Sequence, residues 1–122
     1  MSVLSGLRAY LDLDAARVAC AAANIANAET PGYRRFEAFL RPAHERLDLI
    51  RTRPGHLEPP GEVSRVRVVQ DSSTVWRADG NNVDPDAELV KLLEAVLRYQ
   101  SVLRMASGQL SLCRLVATEG RR

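Results

Sequence analysis

Apolar residues recur at heptad spacing along the N-terminal segment, from Val3 to Ala28. This spacing predicts a helix of about 37 Å, at 1.5 Å per residue. Because one helix cannot bury its own stripe, and because many Ala residues narrow its surface, we expect more than one partner helix to pack against it. One seam position contains Leu4, Leu11, Val18 and Ile25, and the other contains Leu7, Asp14, Ala21 and Ala28, where Asp14 interrupts the stripe.

The C-terminal segment carries a second heptad pattern. Asp84 is a good N-cap and Pro85 fits the first helical position, so a helix is predicted from there to about Thr118. Gly108 inside it weakens the helix by about 1 kcal/mol relative to Ala. Further leucines widen the stripe beyond a two-stranded seam, which indicates contact with additional helices. One seam position contains Leu89, Val96, Leu103, Leu110 and Ala117, and the other contains Leu92, Tyr99, Ala106 and Cys113.

A turn closes the first helical pattern. Pro31 presets the φ of the second turn residue and Gly32 accepts a positive φ at the third, which predicts a type II turn. Just before it, Asn24 and Asn27 have poor helix propensity. They either form a capped, frayed helix end or donate specific hydrogen bonds to a neighbouring helix or chain.

The middle of the chain is rich in Pro and Gly and shows no heptad pattern. Alternating apolar and polar residues there indicate short strands rather than a third long helix. The expected elements are a short helix built on Phe36, Phe39 and Leu40 that ends before Pro42, a helical turn near 43–50, and a small hairpin of strands 63–69 and 74–77.

Composition limits the function classes. The chain of 122 residues has 17 basic and 15 acidic residues and a net charge of +2, which gives no footprint for nucleic acid or an anionic membrane. Its N-terminal segment lacks the pattern of a cleaved signal peptide, and no apolar run is long enough to span a bilayer. His44 and His56 lie in no ligand motif, so we predict no catalytic, cofactor-binding or metal-binding residue. Cys20 and Cys113 are expected to be buried free thiols.

These patterns predict a mainly α fold. Two long terminal heptad helices should pack as a coiled coil or helical bundle around a small irregular middle region that contains a β-hairpin. The expected division is an N-terminal axial helix at 1–30, a turn and loop-rich, partly β region at 31–83, and a C-terminal axial helix with a tail at 84–122.

The motifs at both ends of the chain resemble those of a known family. The stretch from Ala23 to Tyr33, preceded by a heptad helix, is similar to the signature of the flagellar axial family of rod and hook proteins. Residues 79–84, Asp-Gly-Asn-Asn-Val-Asp, and residues 97–100, Leu-Arg-Tyr-Gln, resemble the proximal members of its basal-body rod group. Residues 53–57 resemble a short middle motif of the same group. Pro85 departs from the apolar residue expected after Val-Asp.

The resemblance implies a non-enzymatic structural subunit of the bacterial flagellar basal-body rod, which transmits torque and connects the MS ring to the distal rod and hook. It implies export by the flagellar type III apparatus to the periplasm without a cleaved signal peptide. The implied partners are rod subunits, of this chain and of related proteins, the MS-ring adaptor FliE and the export gate, and no cofactor is implied. The alternatives are another rod component such as FlgC and a soluble helical adaptor or chaperone.

The resemblance also assigns roles to residues. Asn24 and Asn27 are expected to fix the register between subunits. The implied assembly motif is Asn24, Ile25, Asn27, Thr30, Pro31, Gly32 and Tyr33. The implied C-terminal packing and contact surface comprises Asn82, Asp84, Tyr99 and Gln100 together with the seam residues Leu89, Leu92, Val96, Leu103 and Leu110.

Overall fold

Two long helices pack together and a small antiparallel sheet packs on the first of them in the computed structural model, which describes residues 3–41, 65–71 and 77–119. Helix α1 spans Val3–Ala26, strand β1 Phe36–Arg41, strand β2 Arg65–Gln70 and helix α2 Pro85–Glu119. The mainly α fold with two long terminal helices is therefore confirmed. The helical turn near 43–50, the motif at 53–57 and both histidines lie outside the described residues. The division of the chain at 30 and 83 stays a prediction.

Helices α1 and α2 run antiparallel and pack along most of α1. The amide of Asn24 contacts Glu88, and ten residues earlier in α1 the carboxylate of Asp14 contacts Arg98, ten residues later in α2. Eleven further residues bring α1 to its first described residue, Val3, at the level of Gln109. Helix α2 therefore continues for ten residues beyond this end of α1.

Helix α1 is covered both by α2 and by the sheet. Asp14 and Ala21, at one predicted seam position, are buried, whereas Leu4 at the other is 43% exposed. Leu13 and Cys20, each one residue ahead of the buried seam position, form the core beneath the sheet. This core also contains Ala38, with Ala16, Phe36, Leu40 and Val66 packed against it.

The buried side of α2 differs from the predicted seam. Glu88 and Ala95 are buried, and they lie one residue before the predicted positions Leu89 and Val96. Polar Glu88 gives no apolar signal, and small Ala95 gives a weak one, so the heptad pattern selected their larger neighbours. Leu92, Val96 and Tyr99 are half-buried, whereas Leu89, Leu103, Leu110 and Gln100 are exposed.

Cysteine burial follows from the same packing. Cys20 is buried as predicted, whereas Cys113 is exposed and its predicted burial is wrong. Cys113 continues the heptad position of Ala106, but it lies beyond the level at which α1 begins, and no described residue of α1 is opposite it.

The sheet pairs different segments from those expected. Phe36, Phe39 and Leu40 lie in β1 rather than in a short helix, because Phe36, Ala38 and Leu40 alternate onto the face that packs on α1. Strand β2 falls within the predicted strand 63–69 apart from its last residue, but its partner is β1, in antiparallel register from Phe36 opposite Gln70 to Arg41 opposite Arg65. Residues 72–76 lie outside the described part, and Arg77 is in no strand.

Both local turn predictions are confirmed. The Tyr33 amide donates to the Thr30 carbonyl at 3.3 Å, and Gly32 has φ of 73°, as a type II turn requires. At the start of α2, the Asp84 Oδ1 accepts from the backbone N–H groups of Asp86 at 3.1 Å and Ala87 at 3.4 Å, as an N-cap does.

Candidate assembly site

Asn24 lies at the point where α1, β1 and α2 meet, and it is fully buried. Its Nδ2 donates to the Phe36 carbonyl at 2.9 Å and to Glu88 Oε2 at 2.8 Å. Its Oδ1 accepts from the Phe36 amide at 2.8 Å and from the Tyr33 hydroxyl at 3.3 Å. These four bonds use both donors and both lone pairs of the amide. Asn24 thus fixes the register of three elements within one chain, and its bond to Glu88 confirms the expected hydrogen bond to a neighbouring helix. The expected role of Asn24 between subunits stays a prediction.

Glu88 places a carboxylate in the interior beside Asn24. Its Oε1 contacts Lys91 Nζ at 2.8 Å and Arg35 Nη1 at 3.4 Å. Arg35 in turn forms an ion pair with Asp71, Nε to Oδ2, at 2.8 Å. Burial works to lower the pKa of Arg35, but its hydrogen bond to Asp71 and the nearby carboxylates raise this pKa overall. The buried negative charge is therefore paired and hydrogen-bonded, as buried charges must be.

Asn81 caps the turn that follows α1 from a position more than fifty residues later in the chain. It is fully buried, and its Nδ2 lies 3.0 Å from the carbonyl oxygens of Asn27 and Ala28 and 2.9 Å from that of Thr30. Its Oδ1 accepts from the Val83 amide at 2.8 Å. These carbonyls follow the last residue of α1, Ala26, so the Asn81 amide connects the turn after α1 to the turn before α2.

The backbones of the two turns also meet directly. The Gly32 amide donates to the Asp79 carbonyl at 2.9 Å. Gly80 has φ of 80°, a conformation that other residues rarely adopt, and a Cβ there would lie 3.7 Å from the Gly32 Cα. The two glycines therefore form one backbone contact between the turn after α1 and the turn before α2.

Asn82 connects this contact to the sheet. Its Oδ1 accepts from the Arg35 amide at 2.8 Å, and its Nδ2 donates to the Asp71 carbonyl at 3.1 Å. The Asp71 amide donates back to the Arg35 carbonyl at 2.9 Å. Four polar side chains and one turn thus form a single unit, which we name the joint: Asn24, Asn81, Asn82, Glu88 and the turn Thr30–Tyr33.

The joint has an inner and an outer part. Asn24 and Asn81 are buried, and every buried side-chain polar atom in the described part of the chain has a hydrogen-bond partner. Thr30, Pro31 and Gly32 are exposed at the tip of the turn. Asn27 is half-buried and bonds locally, donating to the Ala23 carbonyl at 2.8 Å. The expected motif therefore divides into residues that hold the chain together and residues that face outward.

Asp14, which interrupts the apolar stripe, forms a second polar link between the helices. It is 2% exposed, and its Oδ1 lies 3.5 Å from Arg17 Nη1 and 3.6 Å from Arg98 Nε. An ion pair across α1 and α2 explains why a carboxylate occupies this buried position.

The predicted site residues fall into two groups. Asn24, Tyr33 and Asn82 come together at the joint, with partly buried Ile25 beside Asn24 in α1. The exposed Leu103 and Leu110 lie farther along α2. Sequence reasoning missed Asn81 and Glu88, whose partners are 51 to 64 residues away. Poor helix propensity at Asn24 was the available signal, but it did not identify the partners.

The described residues show neither a metal-ligand cluster nor a membrane-spanning helix. Within residues 3–41, 65–71 and 77–119, no group of His, Cys, Asp and Glu side chains is arranged to hold a metal ion. Neither of the two described helices is apolar enough over sufficient length to cross a bilayer.

Similarity to known proteins identifies the family. Residues 11–34, which contain Asn24 and the turn, match the family of flagella basal body rod proteins. The chain is 30% identical over 102 residues to the flagellar basal body rod protein FlgB of Bacillus subtilis strain 168, covering 80% of this chain and 79% of that protein. The chain belongs to the FlgB family of flagellar basal-body rod proteins.

Two further members support the same family. The FlgB of Escherichia coli K12 is 34% identical over 116 residues, which cover 82% of this chain and 81% of that protein. The FlgB of Borrelia hermsii is 36% identical over 103 residues, covering 74% and 76%. The similarity therefore extends well beyond the segment around Asn24.

Proposed function

We propose that this protein is a structural subunit of the proximal rod in the bacterial flagellar basal body. The observation that carries the proposal is the family membership over about four-fifths of the chain. The fold agrees with it, since two antiparallel helices leave large apolar side chains exposed along α2. A surface of this kind is typical of a subunit that packs among neighbours.

The outer part of the joint is the proposed contact with neighbouring subunits. Thr30, Pro31 and Gly32 project at the end of the helix pair, and the inner amides hold them in one conformation. A preformed turn loses little conformational entropy when a neighbour packs against it. Asn24 acts indirectly, because it positions the turn without being accessible itself.

The remaining properties follow from the rod assignment. The proposed role is the transmission of torque from the MS ring to the distal rod and hook, without catalysis. The proposed partners are other rod proteins, FliE at the MS-ring junction and the export gate. The proposed route is type III export to the periplasm without a cleaved signal peptide. The three segments 1–30, 31–83 and 84–122 would then be an axial helix, an outer region and a second axial helix.

Complementation of a strain that lacks the gene tests this function. The wild-type chain should restore swimming and rods in electron micrographs of purified basal bodies. Thr30→Glu adds a charge at the exposed turn and removes the hydrogen bond from the Thr30 hydroxyl to Asn27 Oδ1. This variant should be synthesised but should prevent rod assembly.

The matched control is Gln70→Glu, which adds the same charge at an exposed position of β2. It should leave rods and swimming intact. Intact rods in the deletion strain would refute the rod function. Normal rods with Thr30→Glu would refute the contact at the turn.

A further inference from the structure

The end of α2 differs from the rest of the helix because nothing in the described part of the chain packs against it. The antiparallel register places the first described residue of α1 at the level of Gln109. Residues 110–119 therefore extend about 15 Å past it, at 1.5 Å per residue. We name residues 109–119 the distal arm.

The distal arm has the side chains of a buried helix on an exposed surface. Leu110, Leu112, Leu115 and Val116 are each at least half exposed, and Val116 is 74% exposed. Most of its polar side chains occupy one narrow stripe that continues from the preceding turns, with intervals of three and four residues. This stripe consists of Arg104, Ser107, Ser111, Arg114 and Thr118. Apart from Gln109 and Glu119 at its two ends, the rest of the circumference is apolar, as in a helix that is surrounded by others.

The backbone changes character where the distal arm begins. Gly108 has no other group within 4 Å of the place its Cβ would occupy, so no close packing requires a glycine there. The hydroxyl of Ser107 donates to the Leu103 carbonyl at 2.9 Å, and that of Ser111 donates to the Ser107 carbonyl at 2.9 Å. Such side-chain bonds to the preceding turn weaken and bend helices. Ser101 makes the same bond to the Leu97 carbonyl at 2.8 Å, but within α2 a glycine adjoins only Ser107, and kinks concentrate at pairs of Gly and Ser.

Three independent features thus coincide within about one turn. The contact with α1 ends near Gln109, helix propensity is lowest at Gly108, and hydroxyl groups compete for the backbone at Ser107 and Ser111. A helix of about ten residues without tertiary contacts is marginal in water. Stability should therefore fall sharply at this point rather than decline gradually along α2.

We propose that Ser107–Gly108 is a hinge that uncouples the distal arm from the folded body of the subunit. In the free chain the arm unfolds and bends on its own, while the body that contains the joint stays folded. The hinge itself is a property of the isolated chain, so it does not depend on the rod function.

Amide hydrogen exchange on the full-length chain tests the hinge, at a concentration where sedimentation shows a monomer. Amides of 110–118 should exchange at least a hundredfold faster than those of 95–106. Gly108→Ala should slow exchange in the arm about fivefold, since Ala favours the helix over Gly by about 1 kcal/mol.

The matched control is Gly6→Ala, since Gly6 is also helical and has no other group within 4 Å of the place its Cβ would occupy. It should leave exchange in the arm unchanged, because it lies in the other helix. Equal protection of 95–106 and 110–118 would overturn the proposal. So would a Gly6→Ala variant that protects the arm as much as Gly108→Ala does.

Discussion

The joint buries polar side chains, whereas the distal arm exposes apolar ones. At the joint, polar side chains such as Asn24 and Asn81 are completely buried, and their hydrogen bonds are satisfied within the chain. In the distal arm, large apolar side chains such as Leu112 and Val116 are exposed. The joint therefore determines the shape of one subunit, whereas the arm carries surface that a single subunit cannot bury. Variants in each region should separate these two roles.

Asn24→Ala should have the largest effect on the free energy of unfolding, lowering it by about 3 kcal/mol. It leaves the Phe36 amide and a Glu88 oxygen without their buried partner, and unpaired buried groups of this kind cost roughly 1–3 kcal/mol each. Urea unfolding followed by circular dichroism measures the change.

Asn27→Ala is the control for this variant, since the side chain of Asn27 bonds only to nearby residues. It should lower the free energy of unfolding by no more than about 1 kcal/mol. Equal losses for the two variants would show that Asn24 is an ordinary helix-end residue.

Asn81→Ala should come next, with a loss of about 2 kcal/mol. Three carbonyls in the turn after α1 share its amide as donor, although water can reach part of this region after the change. Asp84→Ala, which removes only an exposed N-cap, should cost about 1 kcal/mol in the same urea titration. A smaller loss for Asn81→Ala than for Asp84→Ala would contradict the capping role.

Chemical modification of the two cysteine thiols compares the core beneath the sheet with the distal arm, and it perturbs the chain less than a substitution does. Cys20 is buried, and burial together with the charges of Glu88 and Glu37 raises its thiol pKa. Cys113 is exposed in the arm. Iodoacetamide at pH 8 should therefore modify Cys113 at least tenfold faster than Cys20, because the thiolate is the reactive form and the reagent must reach it.

The free energy of unfolding should fall at alkaline pH because of Cys20. A raised pKa means that the folded state disfavours the Cys20 thiolate, so stability is unaffected well below the ordinary value of 9.0 and falls as pH rises above it. Cys20→Ala should remove this alkaline loss. Faster modification of Cys20 than of Cys113 would contradict the packing of both regions.

Sequence patterns predicted the elements better than the contacts between them. Both helices follow from heptads, the turn from Pro31 and Gly32, and the start of α2 from Asp84. Strand β1 was not predicted, because a short apolar run such as Phe36–Leu40 suits a helix or a strand until its packing partner is known.

The buried polar residues show why the site itself was only partly predictable. Asn24 carried a signal, because its helix propensity is poor within an otherwise regular helix. Glu88 and Asn81 carried none, since an acidic residue near a helix start and an Asn in a turn are ordinary. Their burial depends on partners more than fifty residues away, which no local pattern reveals.

Leu115→Asp tests most directly whether the apolar surface of the arm serves neighbouring subunits rather than the fold of its own chain. Leu115 is 52% exposed, so the free energy of unfolding of the purified chain should change by no more than about 0.5 kcal/mol. Basal bodies from a complemented deletion strain should nevertheless lack rods, because the charge enters a packed interface. Ser111→Asp, on the polar stripe of the same arm, should retain them. Normal rods with Leu115→Asp, or a destabilised isolated chain, would contradict the division between joint and arm.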